Sequence, residues 1–483
     1  MLKLKVTVFD VLRSALANYC QGFFTPVKAI PDLTDNIKTV GNTNALSITQ
    51  LCVAYSGGLD STVLLDVANQ VCKEANIVLT AFHINHGIST HAQKWQAHCQ
   101  TQCERRKITF NTQSITLQKS PQKSLEAQAR DARYQILDNY AGESTLVLLA
   151  QHEDDQAETF LLQLKRGAGL QGLSAMPMLL TKPSGTHYMR PFLKLTRADL
   201  LTYAKEHNLK WIEDESNLDD SYDRNFLRNQ IVPRLALRWP AINKTIARSA
   251  FNCAQAQQVN TEYMKLLAKD LLNGHHAVNI EHLLNHSPAT QHSFMRHWLS
   301  SSYALTLSSI QLSHVLGLTN ESNNASPYIE LAGVVVERFQ GQLQVIEKLP
   351  GEGALITLKP IKIDWGNGSD IRLNQFLTLR ILHNPDVDAK RYEGSRTQIF
   401  RLPKDGVTCV FGGSNLSFKC NPKRPTKKLK VLYQEWQISP LQRLRTPVFA
   451  YGATALAVGL STVKVSCGDM HNEITVALVN TPT

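Results

Sequence analysis

The sequence predicts an α/β protein, with a doubly wound parallel sheet in the N-terminal part, then a mostly helical middle domain and a small α+β C-terminal domain. Three observations carry that prediction. Apolar runs at residues 51–55, 77–82 and 146–150 have strand length and alternate with stretches of helical period. The first run feeds Ser56-Gly57-Gly58, after which Leu59, Val63, Leu64, Val67 and Ala68 set a helical rhythm. A chain of 483 residues is also too long for one ordinary domain. The expected divisions are an N-terminal extension at 1–47, the sheet domain at 48–235, the middle domain at 236–350 and the tail at 351–483.

Within the extension, residues 9–16 have helical spacing and the remainder reads as linker. A strand entering a glycine turn at a helix start makes an anion site. Free N–H groups and the positive end of the helix dipole converge there, and glycine lets a phosphate approach the backbone. Ser56, Ser61 and Thr62 add hydroxyls. A plain turn between a core strand and a core helix accounts for the same spacing. The lysine-bearing phosphate loop Gly-x4-Gly-Lys-Ser/Thr is absent at this turn. The wording Ser-Gly-Gly-Leu-Asp-Ser resembles the pyrophosphatase loop of the N-type ATP pyrophosphatases, which adenylate a substrate and release pyrophosphate.

Doubly wound sheets bind ligands outside the carboxyl ends of their strands. His86-Gly87 and the segment after Ala150 are therefore candidates by position. In that segment Asp155 and Glu158 are three apart and share a helix face. They read either as a pocket for magnesium or an ammonium group, or as capping carboxylates that the helix dipole favours. The stretch 167–173, with three glycines, reads as a mobile loop and substrate gate. Thr196 reads as the N-cap of another helix. Arg224 and Arg228 lie at i, i+4, one arginine face that is either solvated or an anion clamp.

These features occur in one order. After the glycine turn come His86-Gly87, Glu126-Ala127-x-Ala129-Arg130-x-x-Arg133-Tyr134 and His152-x-x-Asp155-Gln156-Ala157-Glu158-Thr159. Then follow Gly167-Ala168-Gly169-x-x-Gly172-Leu173, Arg190-Pro191, Asp214-x-Ser216-Asn217 and Arg224-Asn225-x-x-Arg228-x4-Pro233. The ordered set resembles the tRNA(Ile)-lysidine synthetase family. The resemblance implies a PP-loop fold of the adenine nucleotide α-hydrolase type, with ATP and Mg²⁺ as cofactors. The partners it implies are free L-lysine and an isoleucine tRNA with a CAU anticodon. It implies ATP binding by Ser56, Gly57, Gly58, Leu59, Asp60, Ser61, His86 and Arg130, with magnesium on Asp60. Asp155 and Glu158 would bind lysine, Asp60, Asp155 and Glu158 would be catalytic, and Arg224 and Arg228 would face tRNA.

The net charge is +11, and residues 351–483 hold 18 Lys/Arg against 10 Asp/Glu, so most of the excess sits in the tail. A basic tail suggests a polyanionic partner. Residues 419–430 carry six basic residues and no acid, with Tyr433 and Trp436 close behind. Such a run can hold an RNA backbone while aromatics stack unpaired bases. The resemblance puts Lys423, Arg424, Lys427, Lys428, Arg443 and Arg445 on tRNA. Ser439-Pro440-Leu441-Gln442 stands where the family usually shows a Pro-Pro-Trp-like stretch.

Nine cysteines, scattered and odd in number, fit free thiols in a reducing compartment. No apolar stretch nears the roughly 20 residues that span a bilayer. The expected location is the cytoplasm, with no membrane partner. The oligomeric state stays open, a homodimer included. A rival reading is a tRNA thiolase of the same class, which would use paired cysteines or an iron–sulfur cluster. Cys99 and Cys103 form the close pair; on a polar helix they read as surface thiols, with His91 and His98 near enough for a metal site as the alternative. A second rival is a non-catalytic tRNA-binding protein that keeps a relic nucleotide fold.

Overall fold

The structure, a computed structural model, describes residues 7–19, 48–85, 91–115, 125–273, 276–320, 327–347, 360–364, 370–373, 377–381, 398–403, 405–419, 425–459 and 473–480. The chain divides into two compact units, Met1–Val259 and Asn260–Thr483.

In the first unit, β1 (Gln50–Ala54), β2 (Val78–Asn85), β3 (Thr109–Ser114), β4 (Thr145–Leu148), β5 (Leu179–Thr181) and β6 (His187–Met189) form one sheet. Its order is β3-β2-β1-β4-β6-β5. All neighbours run parallel except the hairpin of β5 and β6. β1 is central, and its Leu51, Cys52 and Val53 are fully buried, which is why it reads as an unbroken apolar run. From β1 the chain winds outward through β2 and β3, then crosses to β4 on the other side of β1. The strand order therefore reverses at the crevice between the carboxyl ends of β1 and β4, the place where open α/β sheets bind ligands. The glycine turn leaves β1 and the acidic segment leaves β4.

Sterics dictate the turn. Gly57 has φ +88°, and a Cβ there would lie 2.7 Å from Cys99 Sγ and 3.0 Å from Ile212 Cδ1. Its carbonyl accepts from Ile212 N–H at 2.9 Å and from the Thr62 hydroxyl at 3.3 Å. The loop helix, Leu59–Ala75, then buries Leu59, Val63, Leu64, Val67, Ala68 and Val71 and stops at Asn76, which takes a left-handed conformation.

Several expectations change. The helix inside the supposed extension is Val8–Tyr19, and it belongs to the domain. Its Val8, Leu12, Ala15 and Leu16 share one buried cluster with Val63, Leu64 and Val67. Cys99 and Cys103 do sit on a helix, Ala92–Arg106, but both are fully buried, so the surface-thiol reading is corrected. A polar helix still turns one stripe inward, and the two thiols at i, i+4 are part of that stripe. The expected loop at 167–173 contains a short helix, Leu170–Leu173. Thr196 is the N-cap expected, accepting from Asp199 N–H.

Residues 223–238 form a helix in three pieces: Asp223–Phe226, a wider π segment Leu227–Ile231, and Val232–Arg238. Pro233 has no N–H to give the carbonyl four residues back, and the Val232 N–H bonds instead to Leu227 O, five back. The next helix, Ile242–Leu271, runs from the first unit into the second. Its Ile246 and Ala250 are buried. The first unit thus extends past residue 235 to Val259.

The second unit begins with helices packed on a four-stranded antiparallel sheet, around Met264, Phe294, Trp298, Leu299 and Val336. Val334–Phe339 and Gln342–Glu347 form a hairpin within it. The helix Pro288–Tyr303 is capped by Ser287, which accepts from Thr290 N–H. The tail adds a six-stranded and a four-stranded sheet with two short helices, Leu429–Glu435 and Pro440–Arg445.

If the first helix is core, Leu12→Ala should destabilise the protein by about 2–5 kcal/mol, the usual range for truncating a buried leucine. The urea midpoint of the whole chain reads this, and an unchanged midpoint would return residues 1–47 to the status of an appendage.

Candidate active site

The glycine turn ends as an uncapped helix start. Gly58 occupies the N-cap and provides no side-chain acceptor, so the first N–H groups of the loop helix are not satisfied by a cap. Ser56 Oγ and Ser61 Oγ lie 3.0 Å apart, and Ser61 also donates to Gly58 O at 3.1 Å. The Leu59 side chain packs into the core, so only its backbone can serve a ligand. N–H groups with no capping side chain at a dipole's positive end, beside a glycine backbone that admits close approach, suit the phosphates of a nucleotide.

Opposite the turn, Glu153–Lys165 is the acidic helix, with Glu153, Asp154 and Asp155 in its first turn. His152, just ahead of it, is almost fully buried. Its Nε2 lies 3.6 Å from Asp60 Oδ2 and 3.4 Å from Asp155 Oδ2, and its Nδ1 is 3.4 Å from Asp154 Oδ2. Burial favours the neutral imidazole, but the three carboxylates override it and push the pKa up to about 10. These contacts favour the imidazolium form, and His152 lies between the turn after β1 and the helix after β4. Asp154 is pulled down to about 2: burial opposes its charge, and His152, the Arg197 N–H and the Asn243 side chain outweigh that. Asn243 Nδ2 reaches Asp154 Oδ1 at 2.5 Å.

Asp155 and Glu158 share a face as expected, and the structure gives both of them arginine partners. Arg228 donates through Nε to Glu158 Oε1 at 2.6 Å, and through Nη2 to Glu158 Oε2 at 2.9 Å and Asp155 Oδ1 at 3.0 Å. Arg224 donates to Glu158 Oε2 at 3.0 Å and to Thr159 Oγ1 at 2.9 Å. Burial pushes the Glu158 carboxyl above its ordinary range, against the pull of Arg228 and Arg224. Arg228 is held above its ordinary value by Glu158 and Asp155, although burial works the other way.

Asp60 Oδ1 is buried with no hydrogen-bond partner. Magnesium is commonly held by one or two carboxylates together with substrate phosphates, so this orphaned oxygen beside a phosphate cradle fits that ion. Among the described residues no group of three or more His, Cys, Asp or Glu is arranged to hold a metal by itself.

Not every expected residue joins the site. His86, Lys423 and Arg424 lie outside the described residues. Arg130 is exposed, with its guanidinium 5.5 Å from the centre of the Tyr134 ring. In the tail, Lys427 pairs with Glu435, Lys428 is exposed, and Arg443 donates to Ile438 O and lies over Tyr433. Arg445 is half-buried and acts electrostatically on buried Glu337. Tyr433 is fully buried and so is core and not a platform for bases; Trp436 is half-buried and packs edge-on to it and to Phe418. Burial pushes the thiols of Cys99 and Cys103 up to about 12, which leaves them protonated and poor nucleophiles. His152 belongs to the motif at 152–159, where sequence alone assigns it no role. The signal available was position: a histidine at an N-cap beside three acids.

A raised pKa in the folded state gives stability that is complete below the unfolded pKa, near 6.5, and disappears as pH rises through about 10. The stability difference between the wild type and His152→Gln should therefore be largest below about pH 6.5 and fade toward about pH 10, as read by urea unfolding across that range. A constant difference would mean a neutral imidazole.

Three family models match: a PP-loop domain over residues 31–235, a TilS substrate binding domain over 279–344 and a TilS substrate C-terminal domain over 407–475. The tRNA(Ile)-lysidine synthase of Coxiella burnetii is 35% identical over 90% of this chain and 92% of its own length. The enzyme of that name from Shigella flexneri is 36% identical over 86% of this chain and 93% of its own. Among solved structures, the U34-tRNA thiolase NcsA from Methanococcus maripaludis is 16% identical, covers 50% of this chain and 77% of its own, and overlays with a TM-score of 0.38, too low to carry an argument. With turn, carboxylates and arginines in one crevice and this identity over nearly the whole length, the chain belongs to the tRNA(Ile)-lysidine synthase family.

Proposed function

We propose that the protein joins lysine to carbon 2 of the cytidine at the first anticodon position of an isoleucine tRNA with a CAU anticodon, using ATP. The product, lysidine, pairs with A instead of G and moves the tRNA from methionine to isoleucine. The observation that carries this reading is one crevice with an anion cradle on one wall and a carboxylate pair, already holding a cation, on the other. The reaction needs both in that arrangement, with tRNA, ATP and free lysine meeting in the cytoplasm.

In the first step the carbon-2 oxygen of cytidine attacks the α-phosphate of ATP, and pyrophosphate leaves. Gly57, Gly58 and the N–H groups that follow, with Ser56 and Ser61, hold the departing phosphates and stabilise their growing charge. Magnesium, when bound at Asp60, would neutralise phosphate charge there. His152 keeps the Asp60 carboxylate facing the crevice.

In the second step a lysine amine attacks carbon 2 and AMP leaves. A free amine has a pKa of about 10.4, so presenting it neutral at pH 7 costs roughly 4–5 kcal/mol. Asp155 and Glu158 first bind it as an ammonium, in the place that Arg228 Nη2 takes in this structure. A carboxylate raises the amine's pKa, whereas a guanidinium retained nearby on Glu158, that of Arg224, lowers it. Glu158, with a proton affinity raised by burial, then accepts the proton as the carbon–nitrogen bond forms.

Asp60→Ala should abolish the tRNA-dependent release of AMP and pyrophosphate, and with it the incorporation of labelled lysine into isoleucine tRNA. Methionine tRNA should stay unlabelled with the wild type; labelling of both, or neither, would defeat the proposal. Glu158→Gln should raise the KM for lysine about ten- to hundredfold, in line with the loss of a charged hydrogen bond, and leave the KM for ATP within about twofold. Equal losses on both substrates would place Glu158 elsewhere in the mechanism.

A further inference from the structure

We infer that the elbow after the arginine-bearing helix, centred on Trp239, is a second RNA-binding surface, which holds an unstacked base near the reacting cytidine and the phosphates beside it. The inference rests on the function proposed above. It starts from charge: residues 224–259 contain six basic side chains and no acidic one, although most of the chain's excess charge sits in the tail. Arg224 and Arg228 are spent on Glu158 and Asp155, and Lys244 faces Glu153 electrostatically. Arg234, Arg238 and Arg248 are exposed.

Shape and apolar exposure point the same way. An open hollow of about 570 Å³ is lined by Arg238, Trp239, Pro240, Ala241, Ile242 and Thr245. Trp239 is 54% exposed and Leu237 86% exposed. Large apolar groups left in water together usually mark a binding surface. Here they alternate with arginines, which suits a partner offering flat apolar faces and phosphates at once, as an unpaired RNA loop does. Of the tail aromatics that sequence suggested for that task, Tyr433 is buried and Trp436 is half-buried against it. Position adds a third argument. Arg238 lies ten residues beyond Arg228 along nearly continuous helix, about 15 Å at the usual rise, so a loop with its cytidine in the crevice would run over this face.

The test uses the full chain and an unmodified isoleucine tRNA transcript with a CAU anticodon, titrated at several salt concentrations. Trp239→Ala should weaken binding about ten- to hundredfold, as loss of one base–aromatic stack does, and Trp239→Phe should recover most of it. Replacing Arg234 and Arg238 together by alanine should flatten the dependence of log affinity on log salt by about 0.7–0.9 for each phosphate no longer neutralised. All these positions are exposed, so urea midpoints should match the wild type, and so should the KM values for ATP and lysine. A duplex RNA of equal length should not register the tryptophan change. If the wild type modifies the tRNA and the variants match it in affinity and salt dependence, this surface is refuted and the proposed function stands. If the wild type neither binds the transcript nor releases pyrophosphate with it, the function is refuted and the surface with it.

Discussion

Four carboxylates crowd one crevice, and the fold works only because cations hold them there. Asp60, Asp154, Asp155 and Glu158 would repel one another if they faced water alone or shared an apolar pocket. His152, Arg224 and Arg228 counter them through contacts of 2.6 to 3.6 Å. Charges withdrawn from water are strongly disfavoured unless paired and hydrogen-bonded. These groups come from three segments: Asp60 from the loop helix, His152 and the other carboxylates from the acidic helix and its N-cap, and both arginines from the helix with the π segment. The electrostatic requirement therefore also fixes tertiary structure, fastening three separate elements to the carboxyl ends of β1 and β4. Three cations against four anions leave a negative surplus, and Asp60, with its orphaned oxygen, is where a further cation fits.

Backbone detail supports the arrangement at two places. At Gly57 a side chain would strike Cys99 and Ile212, so only glycine lets the turn pack this closely against them. In the arginine-bearing helix, the missing N–H of Pro233 accompanies one widened turn that contains Arg228. Arg224 and Arg228 then meet both oxygens of Glu158 from one side.

Much of this was legible in the sequence, and the remainder was hidden for physical reasons. β1, β2 and β4 announce themselves because parallel central strands are apolar on both faces. The turn and the Asp155–Glu158 pair can be read because glycine and i, i+3 spacing have geometric meaning on their own. Burial is harder to read where a helix is polar overall: Cys99 and Cys103 looked like surface thiols because the residues around them are charged. Tyr433 and Trp436 looked like a stacking platform for the opposite reason, since short strands and helices conceal their own core. The arginine pair suggested an anion clamp; only the fold brings the carboxylates from some 70 residues upstream to meet it. The helix at Val8–Tyr19 was seen, but its docking was not, because no local pattern says which surface an amphipathic stripe will cover.

The guanidinium seated between Asp155 and Glu158 also bears on selectivity. Under the function proposed above this carboxylate pair receives an ammonium, and such a pair alone would attract every small amine and alkali ion in its surroundings. Here an entrant must evict a resident that makes three directed bonds, so a monovalent ion or a short amine with nothing further to offer is turned away at the threshold. Under that proposal a guest must compensate elsewhere, through its carboxylate or the length of its chain, and discrimination would be settled by competition with the protein's own side chain before any bond is made or broken.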